Sequence, residues 1–145
     1  MEDLVRYLDE IVDPTVAEFE ADATSVRKAF LTCVAVFHAI DYLVHPHRRK
    51  LGNLKQNWRD ESPDFALVED VAHAFKHVIA NGPNRLKASN VISRPPAYYG
   101  VAAYGLSRSN DPAGGVTLDD DRAVDLLDAL RRAVAFLRQQ AEAPR

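Results

Sequence analysis

The sequence predicts a mainly α protein: an up-and-down helical bundle of four to five helices with a small antiparallel β-hairpin inserted before the last helix. Three observations predict it. Four stretches, 3–12, 14–44, 63–80 and 119–139, carry apolar residues at a helical period. A capping residue is followed by proline at Asp13-Pro14 and Ser62-Pro63, the combination that opens a helix. Residues 82–118 hold five of the six glycines and four of the eight prolines and show no such period.

Residues 3–12 are apolar at positions 4, 5, 8, 11 and 12, and Asp13-Pro14 ends this helix and starts the next. The second helix runs from Pro14 to Val44, bent near Asp22 to Ser25, where helix propensity is poor. From Ala29 onward its apolar residues surround it, which marks a central helix. His45-Pro46 stops it, because the residue before proline is driven out of the α region. A polar, basic connection follows, with one helical turn around Leu51 to Trp58. The third long helix runs from Pro63 to Ala80 and stops at Asn81-Gly82-Pro83. Asn90 to Ser93 and Tyr98 to Leu106 are the expected strands, with a turn over Asn110 to Gly115 and Tyr98, Tyr99 and Tyr104 as packing residues. The last helix starts near Asp119, whose neighbours Asp120 and Asp121 complement its positive end, and residues 141–145 form a frayed tail.

At 145 residues and 47% hydrophobic content this is one domain, residues 1–145, with 82–118 as a β-containing flap. The single Cys33 excludes an intrachain disulfide and lies in an apolar run, as a small buried hydrophobe does. The acidic start is unlike the basic start of a secretory leader and no apolar run reaches the length of a membrane span, so a soluble, cytoplasmic protein is expected. Net charge is −3, unevenly spread: −6 over residues 1–41, +5 over 42–110 and −2 over 111–145. Within the basic middle, Arg48, Arg49, Lys50, Lys55 and Arg59 occur with no acid between them. Trp58 adds a stacking surface, so the segment is a candidate phosphate or RNA contact.

Two helices repeat one polar spacing. His38, Asp41 and His45 stand at i, i+3 and i+7, and so do Asp70, His73 and His77. Such positions fall within about 60° of one another on a helix face. His38 and Asp41 sit among apolar neighbours, where an unpartnered carboxylate is costly, and Asp70, His73, Lys76 and His77 are the densest supply of partners.

A helix with His-x-x-Asp (His38, Asp41) and a later one with Asp-x-x-His-Ala-x-Lys-His (Asp70, His73, Ala74, Lys76, His77) resemble a group of uncharacterised bacterial proteins distantly similar to the HEPN helical bundles. That resemblance implies a homodimer and, in active members, metal-independent RNA cleavage in toxin or phage-defence systems. It would make His77 the proton-transfer group, oriented by Asp70 or His73, with Lys76 and the 48–59 segment holding phosphate. The chain departs from the family's Arg-x4–6-His pattern, since Asp70 stands where the arginine before His77 would be.

Three functions are therefore open. The first is a non-catalytic interaction or dimerisation domain with a buried His/Asp network, whose partner is a second copy or another protein. The second is RNA binding or cleavage through the residues just named. The third is a metal-dependent hydrolase in which His38, Asp41, His73 and His77, with His45 and Asp70 nearby, bind zinc, iron or manganese.

Overall fold

The computed structural model describes residues 2–45, 51–80, 86–98, 100–105, 107, 111, 113–119 and 124–143. Residues 2–20 form one helical run instead of two helices: α1 (Glu2–Tyr7), a π-helical segment (Leu8–Val12) and α2 (Asp13–Glu20). Proline lacks an N–H and its ring crowds the carbonyl four residues back. The wider π turn absorbs this, because the Asp13 N–H reaches back to the Leu8 carbonyl, and the helix passes straight through Pro14.

The bend expected near Asp22 to Ser25 is a full break. Ser25 caps a new helix, α3 (Val26–Val44), its Oγ accepting the Lys28 N–H, and His45 leaves the helix in extended backbone ahead of Pro46. The single turn expected around Leu51 is an eleven-residue helix, α4 (Leu51–Glu61). Trp58 explains it. The indole is 1% exposed and stands edge-on to Phe65 at 5.3 Å and Phe136 at 5.6 Å, which pins α4 to the bundle.

Ser62 and Pro63 open α5 (Pro63–His77) as predicted, the Ser62 Oγ accepting the Phe65 N–H at 3.1 Å. This is the enclosed helix: Phe65 and every residue from 67 to 72 are buried. The expected central element, residues 29–44, instead leaves Leu31 and Tyr42 of α3 exposed. The reason is that α3, α4 and α6 all pack on α5, and α4 covers the flank that the sequence pattern left polar. The helix ends at His77, earlier than expected, because Val78 takes a φ of 70°, rare for a β-branched residue. The chain then forms a bridge, with the Ala80 N–H on the Leu86 carbonyl (2.7 Å) and the Ala88 N–H on the Val78 carbonyl (3.0 Å). The predicted Asn81-Gly82-Pro83 stop lies outside the described residues.

A hairpin is present, but its second strand differs from expectation. β1 (Val91–Arg94) pairs antiparallel with β2 (Gly115–Leu118), Val91 opposite Leu118 and Arg94 opposite Gly115. The Tyr98 to Leu106 stretch is interrupted by Gly100 and Gly105 at positive φ, so it turns where a strand would run. Tyr104 is fully exposed and Tyr98 half-exposed, so neither belongs to the core; Tyr99 and Leu106 lie outside the described residues.

Buried Arg94 ties the flap down, donating to Asp111 from Nε (2.9 Å) and Nη2 (2.6 Å) and to Asp125 from Nη2 (3.3 Å). Asp125 also caps α6 (Leu126–Glu142) by accepting the Leu127 and Asp128 N–H groups. The last helix therefore starts at Leu126 and not near Asp119, whose N–H is bonded to the Asn90 carbonyl at 2.6 Å. Asp120 and Asp121 lie outside the described residues. The helix continues to Glu142 with Ala141 buried, where a frayed tail was expected from residue 141, and residues 144 and 145 lie outside the described residues. On its outer side Arg132 forks onto Asp64 (2.9 Å twice), Arg138 reaches Asp9 (2.8 Å) and Asp13, and Arg131 reaches Glu20. Cys33 is buried as expected, and burial pushes its thiol pKa up. No helix among the described residues is long and apolar enough to cross a membrane.

Candidate functional site

The polar cluster that the bundle encloses includes a residue not singled out from the sequence, Glu69. On α5, Glu69 and Asp70 are consecutive and both buried, 1% and 4% exposed. Two carboxylates at such depth need cations. Both come from α4, where Lys55 and Arg59 stand one turn apart.

The geometry is closed. Arg59 Nη1 donates to Glu69 Oε2 at 2.9 Å and to Asp70 Oδ1 at 3.0 Å, and Nη2 to Asp70 Oδ2 at 3.4 Å. Lys55 Nζ meets the other Glu69 oxygen, Oε1, at 2.6 Å. Burial disfavours the Arg59 charge, but the hydrogen bonds to Asp70 and Glu69 outweigh it and hold the pKa above the ordinary arginine value. Two acids face two bases, so the centre is neutral as a whole.

His73 lies at its edge, Nδ1 3.8 Å from Glu69 Oε1. Burial is the largest influence on this imidazole and lowers its pKa below the ordinary 6.5, with Glu69 opposing and Lys55 assisting. Its ring stands edge-on to Phe37 at 5.1 Å, and the Lys55 ammonium sits 5.9 Å from the centre of the same Phe37 ring.

The other predicted residues are elsewhere. Lys76 and His77 are exposed, and His77 touches His73 only ring to ring, with centroids 6.2 Å apart. Asp70 is held in the Arg59 fork and does not orient His77. His38 and Asp41 bond each other, Nδ1 to Oδ2 at 3.1 Å, but on the outer side of α3, where both side chains are well exposed. The buried network expected for them is thus a surface pair, because α3 is not enclosed at that end. α3 and α5 do pack together, and Phe37 touches both the His38 and His73 rings.

The basic segment changes role in the same way. Trp58 has no face to offer a base, since it is core, and the Lys55 and Arg59 heads are taken by carboxylates. Arg48, Arg49 and Lys50 lie outside the described residues. The metal set does not assemble either: among the described residues no three His, Cys, Asp or Glu side chains form a group that could hold a metal ion. Asp41 and His38 face outward while Asp70 is committed to arginine, and that is the physical reason.

Glu69 had a sequence signal. It precedes Asp70 and stands i, i+4 to His73, and Lys55 and Arg59 share that same one-turn spacing on the helix before it. Against protein-family models, curated proteins and solved structures, the chain finds no match.

Proposed function

We propose that the chain is a non-catalytic interaction domain, HEPN-like in layout, that associates with a second copy of itself. The observation that carries this reading is the neutrality of the buried centre. Acid–base catalysis needs a group with a free lone pair or an available proton beside a space for substrate. Here Glu69 and Asp70 are both hydrogen-bonded to cations within the protein, and they fasten α4 to α5. Large side chains left exposed, Tyr98, Val101 and Tyr104 between the strands and Val78 and Ile79 after α5, supply apolar surface for contact.

The test is sedimentation equilibrium over a range of concentrations, run beside an RNA-cleavage assay of parent and His77→Ala proteins. Self-association that weakens in Tyr104→Ser, with no cleavage by either protein, is the expected result. RNA cleavage that His77→Ala abolishes, by a protein that stays monomeric, would replace this reading with the nuclease one.

A further inference from the structure

A cavity of about 610 Å³ lies between α1, the π segment and the last turns of α3, and none of its lining residues belongs to the Glu69 centre. Its wall is aromatic. Tyr7 and Tyr42 stack with centroids 4.1 Å apart and planes 17° from parallel, and the Tyr7 hydroxyl donates to the Ala35 carbonyl at 2.9 Å, which fixes that ring. Tyr42 remains 42% exposed, so the pair presents ring surface to the cavity.

Among the described residues, the charges around this wall are mostly negative. Asp3, Glu10 and Asp41 line the space, against Arg6 and His45. Arg6 is spent on Glu10, Nε to Oε1 at 2.9 Å, and His38 bonds one oxygen of Asp41 from outside the cavity lining. Two carboxylates, Asp3 and Asp41, thus flank an aromatic surface bordered by apolar Ile11. Aromatic faces attract cations through the ring quadrupole, and best those that shed water readily. The lining does not form a group that could hold a metal ion. The volume lies in the range of small-ligand sites, large enough for a charged head with its stem.

We infer that this cavity binds an organic cation: a guanidinium or quaternary ammonium group on a short apolar stem, held over Tyr42 with Asp3 and Asp41 beside it. The inference stands independently of the interaction-domain reading. A free amine-type metabolite and an arginine side chain of another protein present the same chemistry.

Two-dimensional amide NMR of the full chain tests it, titrating argininamide, tetramethylammonium and an acetyl-Gly-Arg-Gly-amide peptide against sodium chloride at equal ionic strength. Saturable shifts at Tyr7, Ile11 and Tyr42 are expected with the organic cations and not with sodium. Tyr42→Leu should weaken binding about two- to fivefold while Tyr42→Phe, which keeps the ring, should not. Asp41→Asn should weaken it by a similar factor. Tighter binding of the peptide than of argininamide would assign the site to a protein side chain, and equal or weaker binding to a free small cation. Shifts that sodium chloride reproduces, or a Tyr42→Leu protein that titrates like the parent, would overturn the inference. All three variants lie on half-exposed surface, and unchanged amide positions elsewhere confirm that they fold.

Discussion

Arg59→Met puts the buried centre to its hardest test. Methionine retains most of the apolar stem and removes the guanidinium, so Glu69 keeps only Lys55 and Asp70 loses the hydrogen bonds that hold both its oxygens. Removing one partner from a buried ion pair costs about 3 to 5 kcal/mol. The Arg59 and Lys55 side chains are 17% and 35% exposed, so water approaches from the α4 side and the lower figure, about 3 kcal/mol, applies. At about 3 °C per kcal/mol for a chain of this size, the melting temperature should fall by about 9 °C.

The pH response supplies a sign that a mere packing defect would not. An orphaned buried carboxylate holds its proton more tightly than it does in the unfolded chain, so its folded pKa is raised. A raised group contributes stability that is present below the unfolded pKa and lost as pH rises through the folded value. The deficit of Arg59→Met should therefore shrink as pH falls from about 7 to about 5. Urea unfolding followed by fluorescence of the single tryptophan, buried next in sequence to Arg59, reads this directly. A deficit below about 1 kcal/mol, or one that acidification leaves unchanged, would mean that the carboxylates are hydrated and would refute the argument.

Two further outcomes follow from particular contacts. Gly114 sits at φ 66°, and a Cβ there would lie 2.4 Å from the Arg94 carbonyl oxygen and 2.8 Å from the Pro96 nitrogen. Backbone strain and overpacking together should make Gly114→Ala cost about 2 to 4 kcal/mol, and an unchanged chemical-denaturation midpoint would show that the flap yields freely. Burial first, then Tyr42 and Asp41, push the Tyr7 phenol up to about 12 from its usual 10.0. This raised group stabilises the fold below pH 10.0 and ceases to do so as pH rises through about 12, so Tyr7→Phe should blunt alkaline unfolding. Identical alkaline melting of parent and variant would count against it.

Much of the fold was legible because its signals are local. Ser62-Pro63 needs only its own side chain and the next turn, and it capped α5 as read. What failed was set by partners far along the chain. Pro14 reads as a helix start, yet a π turn carries the helix through it, because Leu4, Leu8 and Val12 on this run are all buried in one core. α4 reads as a polar connection because Trp58, its anchor, packs on Phe65 and on Phe136, and Phe136 belongs to the last helix. The candidate site shows the same divide. A helical wheel placed Asp70 and His73 correctly on one flank of α5, but it could not show that α4 folds over that flank. Lys55 and Arg59 therefore looked like free phosphate ligands when they are the counter-ions of Glu69 and Asp70.

That pairing raises the question of why the bundle holds two buried carboxylates against two partly buried bases. Stability is a weak answer, since well-packed apolar residues in place of a buried ion cluster are often neutral or stabilising by about 1 to 4 kcal/mol. Register is a stronger one. The bases are one turn apart on α4 and the acids are adjacent on α5, so sliding α4 by a turn would set Lys55 where Arg59 belongs and lose the forked contact with Asp70. An apolar seam would tolerate the slide. The quadruple variant Lys55→Met, Arg59→Met, Glu69→Leu, Asp70→Leu should thus melt no lower than the parent while its α4 amides and Trp58 indole signal broaden or double. A variant that loses stability outright would make the cluster a stabilising element. One that stays sharp and single would mean that Trp58 packing alone fixes where α4 docks.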